Sequence, residues 1–103
     1  MVDKKVQGKK HYVYMVRCCD NSLYTGWTTD LEKRVKTHNS GEGPQAAKYT
    51  KARRPVTLVY HEVLENRSEA LKREAAIKKL SKGKKEKMVE AFSRDERITS
   101  KNV

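Results

Sequence analysis

The chain predicts an α/β (α+β) domain, a three-stranded antiparallel sheet flanked by helices in the order β-β-α-β-α-α, from three observations. Two short runs rich in aromatic and β-branched residues, His11 to Cys18 and Leu23 to Thr28, flank the turn-forming Cys19-Asp20-Asn21-Ser22 and read as a β-hairpin. A third run, Val56 to Leu64, is apolar at Val56, Leu58, Val59, Val63 and Leu64 and reads as a strand covered on both faces. In three further segments apolar residues recur three and four apart, the period of a helix with one buried stripe.

Residues 1–10 hold Lys4, Lys5, Lys9 and Lys10 with little apolar content, a mobile basic arm ahead of an ordered domain over residues 11–92. After the hairpin, Thr29-Asp30-Leu31-Glu32 fits a capping box, with the Thr29 hydroxyl and Glu32 carboxylate satisfying free amides at the start of a helix over about 30–39. Gly41 stops it. The stretch 41–54, with Gly41, Gly43 and Pro44, reads as a basic loop with room for one helical turn, and Pro55 ends it. Asn66 and Ser68 are candidate N-caps for a helix running to about Leu80. Lys82-Gly83-Lys84 breaks the pattern, a last helix closes the core through Met88, Val89 and Phe92, and residues 93–103 read as a frayed polar tail.

At 103 residues the chain has room for one domain with a modest core. Its 24 Lys and Arg against 13 Asp and Glu, a net charge of +11, point to a polyanionic partner. No apolar run approaches the roughly 20 residues that span a bilayer, and the N-terminus lacks the apolar stretch of a signal peptide, so the expectation is a cytoplasmic protein with no membrane partner. Cys18 and Cys19 are adjacent, which suits neither a disulfide framework nor a CxxC metal knuckle; they read as reduced strand residues.

Four chemical groups stand out. Tyr12 and Tyr14 share one strand face and Tyr24 lies on the return strand; Arg34 and His38 fall on the same inward stripe as Leu31 and Val35, and Glu74 falls between Leu71 and Ile77. Charge on a stripe that faces a core invites a functional explanation: a phenol, a guanidinium, an imidazole and a carboxylate able to meet at one phosphodiester. Each has a structural alternative. Tyr14 can pack the sheet, Arg34 and Glu74 can form a buried ion pair between helices, and His38 can sit on a helix C-terminal dipole.

With its motifs in this order, the chain resembles the GIY-YIG nuclease superfamily, and more closely its short stand-alone bacterial members, over about residues 11–90. Tyr12-Val13-Tyr14 stands at the first triplet and Tyr24-Thr25-Gly26 at the second; Arg34 in Leu31-Glu32-Lys33-Arg34-Val35, His38-Asn39-Ser40-Gly41, and Glu74 in Ala70-Leu71-Lys72-Arg73-Glu74 match the later motifs. The resemblance implies a central first strand and metal-dependent endonucleolytic cleavage of DNA, with Tyr14, Tyr24, Arg34, His38 and Glu74 as the catalytic set and a tyrosine acting as, or assisting, the general base. Glu74 can hold one Mg²⁺ or Mn²⁺ that keeps most of its waters, and Arg34 can grip the scissile phosphate through two donors. A phenol of ordinary pKa near 10 is a poor base at neutral pH, so either Arg34 or the metal lowers that value or His38 relays the proton. Tyr12 replaces the usual glycine and is structural, as is Gly26, which gives backbone clearance. Trp27 stands where repair-type relatives often carry a lysine; it either stacks on an unpaired base or fills a wall.

Lys78, Lys79, Lys82, Lys84, Lys85 and Lys87, with Lys48, Lys51, Arg53 and Arg54, form a candidate clamp on a nucleic-acid backbone. Lysines lack a fixed fork geometry for reading base edges and are expected on the backbone. The expected substrate is therefore DNA chosen by shape, as branches, flaps or single strands in repair or recombination, or chosen through a protein partner. The alternative is a nucleic-acid-binding module of the same fold with weak or no catalysis.

Overall fold

A computed structural model describes residues 10–41 and 48–102. The basic arm expected over residues 1–10 lies, except for Lys10, outside the described residues, as do Gly43 and Pro44 of the basic loop. The elements run β1 (His11–Arg17), β2 (Leu23–Thr28), α1 (Leu31–Ser40), α2 (Lys48–Lys51), β3 (Thr57–Leu64), α3 (Arg67–Lys78) and α4 (Lys82–Asn102). The three strands form one antiparallel sheet in the order β2-β1-β3, so β1 is central. Among the described residues no helix is long and apolar enough to cross a membrane.

The hairpin closes as its turn residues dictate. Cys18 N–H donates to Ser22 O at 2.9 Å, and Asn21 takes the left-handed conformation at φ 72°, which asparagine tolerates better than most residues. Pairing then sets Tyr14 opposite Gly26 and Val16 opposite Tyr24.

β1 is buried on both faces. Val13 and Met15 join Ala70, Ile77 and Val89 under α3 and α4, while Tyr14 and Val16 join Cys18 and Val56 in a second cluster lined by Leu31 and Val35 of α1. The sheet thus lies between α1 on one side and α3 and α4 on the other.

Four local expectations change. The N-cap of α1 is Asp30, whose carboxylate accepts from Lys33 N at 3.1 Å, one residue later than the Thr29 capping box. That shift leaves Glu32 in the first turn, favourable to the helix dipole but not at the position that would reach back to the cap. β3 is an edge strand rather than a fully covered one, and Val63 is 55% exposed. Lys82-Gly83-Lys84 does not break a helix but starts one: the break falls at Leu80-Ser81, and Ser81 Oγ accepts from Lys84 N at 3.3 Å as a cap. A glycine in a first turn loses little, since the amides there have no intrahelical partner in any case. α4 then continues to Asn102 through the segment expected as a tail, with Arg94 and Glu90 paired one turn apart at 3.2 Å. By contrast Asn66 caps α3 as one of its two candidates, accepting from Glu69 N at 2.9 Å.

Candidate active site

α1 and α3 lie on opposite faces of the sheet, yet a side chain from each reaches the edge strand β2. A polar cavity of about 300 Å³ there is lined by Tyr24, Gly26, Trp27, Thr28, Thr29, Arg34 and Glu74. Arg34 is fixed by donating to the Trp27 carbonyl at 3.2 Å. Glu74 is paired with Lys78, one turn further along α3, at 3.1 Å, rather than with Arg34. The two helices are therefore not held by the ion pair that Arg34 and Glu74 could have made.

Tyr14 sits behind this cavity. It is 1% exposed, and its hydroxyl lies 2.8 Å from His38 Nε2. A Cβ on Gly26 would lie 2.7 Å from that hydroxyl, so the position opposite Tyr14 has space only for glycine. Burial pushes the Tyr14 phenol up to about 12, while the nearby Arg34 guanidinium pulls the other way without overcoming it.

His38 is 1% exposed, on the last turn of α1, and its Nδ1 lies 2.7 Å from the Thr50 hydroxyl of α2. Burial first and the positive charge of Arg34 second hold its pKa below the usual 6.5, so at neutral pH the ring is uncharged. A neutral ring whose two nitrogens both face hydroxyls is not a cap on the helix dipole. That task falls to Gly41, at φ 69° with its N–H donating to Thr37 O, and to the Arg54 guanidinium, which donates to the carbonyls of Asn39 at 3.2 Å and Ser40 at 3.1 Å.

Tyr24 presents its ring to the edge of His38 at 5.4 Å and stacks on Tyr49 at 5.9 Å. Trp27 packs against the Val13 cluster, stacks with His11 at 6.1 Å and lies under the Arg67 guanidinium. These contacts suit a cavity wall better than a platform open to a base. Tyr12 meets His61 edge-on.

The basic residues divide. Arg53 is bound to Asp20 at 3.0 Å and lies 3.9 Å over the Tyr49 ring, Arg54 caps α1, and Lys82 pairs with Glu86 at 2.7 Å. With Lys78 on Glu74, these four cations already have partners within the fold. Lys48, Lys51, Lys79, Lys84 and Lys87 are exposed, and Lys85 is half-buried.

Among the described residues no group of three His, Cys, Asp or Glu gathers as a metal-binding cluster. The donor set is one carboxylate, Glu74, in a polar cavity. It fits a hard cation that keeps its waters and takes phosphate oxygens from a substrate, and does not fit a closed three- or four-ligand site.

Tyr49 and Thr50 went unread in the sequence, since the 41–54 stretch has no period and Thr50 lies 12 residues from His38. The available signal was His38 itself: a histidine on an inward stripe needs partners for two ring nitrogens.

The model of the GIY-YIG catalytic domain family matches residues 10–87. A UPF0213 protein of Staphylococcus haemolyticus is 59% identical over 81 residues, 79% of this chain and 95% of that one. A UPF0213 protein of Clostridium perfringens is 50% identical over 93 residues, 90% and 97% of the two chains. The solution NMR structure of a protein from E. faecalis has a TM-score of 0.55 at 45% identity, over 82% of this chain and 88% of that one. That of a UPF0213 protein from Bacillus halodurans has a TM-score of 0.51 at 45% identity, over 80% and 84%. Matches of this extent mean that the chain belongs to the GIY-YIG catalytic domain family, a family of endonucleases.

Proposed function

We propose that this protein is a divalent-metal-dependent endonuclease that hydrolyses phosphodiester bonds in DNA and selects its substrate by shape rather than by sequence. The observation that carries the proposal is the buried hydrogen bond between Tyr14 and a neutral His38 directly behind the cavity holding Arg34 and Glu74.

A phenol pushed up to about 12 does not act as a free phenolate at neutral pH. Arg34 does not bring that value down, and the hydrogen bond to His38 supports the relay. As water attacks phosphorus, its proton passes to the Tyr14 oxygen while the Tyr14 proton passes to His38 Nε2, which leaves an imidazolium and a new P–O bond. The bond to the departing oxygen breaks, that oxygen takes up a proton from solvent, and the His38 imidazolium gives its proton back to solvent. Arg34, with its planar donors, holds the non-bridging oxygens, and the Tyr24 phenol lines the same cavity close to the attacking water. Glu74 would hold one Mg²⁺ or Mn²⁺, which supplies Lewis-acid charge to the phosphoryl and departing oxygens. The exposed lysines beside α2 and along α3 and α4 supply backbone attraction without base readout. That favours branched, flapped or single-stranded DNA, and leaves finer selection to shape or to a protein partner, as work in repair or recombination requires.

One observation favours a second reading, a DNA-binding module without cleavage: Glu74 is neutralised by Lys78. Incubating the full chain with branched and single-stranded DNA and Mg²⁺ or Mn²⁺ separates the two. Cleavage with the metal and none with a chelator supports the nuclease; tight binding with no product under any metal supports the module.

A further inference from the structure

The short helix α2 contributes two consecutive side chains, each placed against a different residue of the proposed site. Thr50, 0% exposed, puts its hydroxyl 2.7 Å from His38 Nδ1, and Tyr49 stacks on Tyr24 at 5.9 Å. The helix is itself anchored. Arg53 lies over the Tyr49 ring, donates to the Tyr49 carbonyl at 3.0 Å and binds Asp20 of the hairpin turn, and Cys19 N–H donates to Arg53 O at 3.0 Å. A loop segment is thus locked to the β1–β2 hairpin, with the Thr50 hydroxyl buried and the Tyr49 ring, 36% exposed, laid against Tyr24.

The hydroxyl has a consequence for the ring. A neutral imidazole carries one proton, so one nitrogen donates and the other accepts. Were the proton on Nε2, the Tyr14 oxygen would accept that N–H while also facing the positive charge of Arg34. The phenol's own proton would then need another acceptor at a position that is 1% exposed. With the proton on Nδ1 the conflict disappears: Nδ1–H donates to Thr50 Oγ1, and Tyr14 O–H donates to Nε2. Only this second tautomer can take a proton from Tyr14.

We propose that Thr50 is a positioning residue of the active site, holding His38 as the Nδ1–H tautomer with Nε2 aimed at Tyr14, while Tyr49 seats the Tyr24 ring from the same helix. Thr50 is 0% exposed and acts through His38, in the way that an acceptor behind a catalytic histidine fixes its tautomer and steadies its charged form. The assignment rests on the relay proposed above, but it makes a claim about the resting protein that needs no substrate.

The test uses the full chain with Thr50→Val, which keeps the shape and removes the hydroxyl, and Thr50→Ser, which restores it. Long-range ¹H–¹⁵N spectra of the His38 ring should report the Nδ1–H form in the unsubstituted protein and in Thr50→Ser, and a mixed or reversed tautomer in Thr50→Val. On a branched DNA with Mn²⁺, kcat should fall about 10- to 100-fold in Thr50→Val, recover to within a few-fold in Thr50→Ser, and leave KM unchanged. Should the valine variant fold poorly, Thr50→Cys keeps the volume with a weaker acceptor and should show the same changes at smaller size. Unaltered ring signals and kcat in a folded Thr50→Val overturn the proposal while leaving the nuclease reading intact. If the unsubstituted chain cuts no DNA, the nuclease reading fails, and the nitrogen spectra still decide whether Thr50 sets the tautomer.

Discussion

Strand β1 gives Val13 and Met15 to one face of the sheet and Tyr14 and Val16 to the other, and all four are essentially inaccessible. Beneath Val13 and Met15 the partners are Ala70, Ile77 and Val89, an apolar layer. Beneath Tyr14 lie His38, the Thr50 hydroxyl that His38 contacts in turn, and the charge of Arg34. One side of the strand therefore gains stability from burying apolar surface. The other buries polar groups that are tolerable only because each finds a partner, and the same burial moves Tyr14 up and His38 down. Stability and the proposed chemistry are separated by the two-residue period of a single strand, while Glu74 comes to the candidate site from the apolar side, by way of the sheet's edge.

That separation gives the largest expected contrast. Glu74→Ala should lower cleavage by about a thousandfold or more, since it removes the one carboxylate offered to a metal, with little change in melting temperature or DNA affinity. Ile77→Ala, one turn along the same helix and 0% exposed, should cost about 2–5 kcal/mol of stability while the molecules that remain folded cut at the normal rate. Denaturant melts and single-turnover cleavage on the same samples measure both; a large loss of stability from Glu74→Ala would show that the carboxylate belongs to the scaffold.

Gly26→Ala tests the polar side alone. The added Cβ would lie 2.7 Å from the Tyr14 hydroxyl and 2.9 Å from the ring carbon that carries it. The ring must shift away from His38, and a misplacement of about 1 Å costs roughly a hundredfold in rate. Cleavage should fall by about that factor with the fold retained, and an unchanged kcat would mean that the Tyr14–His38 bond is not on the reaction path.

The two sides also differ in how far they could be read in advance. The hairpin, the capped start of α3 and the inward stripe of α1 follow from signals within a few residues: turn formers, Asn66, and the spacing of Leu31, Arg34, Val35 and His38. The motif residues were legible by their order, and the cavity at β2 gathers Tyr24, Arg34 and Glu74. What was not legible depended on distant partners. Sequence counts Arg53 and Arg54 as positive charge but cannot see that Asp20 and the carbonyls of Asn39 and Ser40 take it up. Thr50 looked like loop because its partner sits on another element. Lys78 is the instructive exception, four residues after Glu74 and readable as its i,i+4 partner, but read instead as part of the lysine run.

The shifts on the polar side set a pH dependence that the apolar side lacks. His38 is held below its unfolded value, so the stability it contributes is fully present above about pH 6.5 and is lost as pH falls towards the folded value, because the unfolded chain binds the proton first. Tyr14 is pushed up to about 12, so its contribution is fully present below pH 10 and is lost as pH rises towards about 12. Two pH units correspond to about 3 kcal/mol at most. Urea melts as a function of pH should therefore show a steeper alkaline limb in the unsubstituted protein than in Tyr14→Phe, and a steeper acid limb than in His38→Gln. Parallel curves would mean that neither group is as dry as its position implies.

The smallest effects concern the cations, where being engaged or exposed replaces the contrast between faces. Lys51 and Lys79 are exposed, so Lys51→Ala and Lys79→Ala should leave stability unchanged and each reduce the slope of log affinity against log salt by about one, measured from roughly 50 to 200 mM. Arg54 differs, because its guanidinium satisfies two carbonyls at the C-terminus of α1 and packs where a Gly41 side chain would be. Its removal leaves helix carbonyls without a donor and takes a positive charge from the negative end of the dipole, at a cost of about 1 kcal/mol. Arg54→Ala should then lower the melting temperature while leaving the salt slope nearly as it was. A full unit lost from that slope instead would move Arg54 from the scaffold to the DNA contact surface, and would mean that the α1 cap opens when nucleic acid binds.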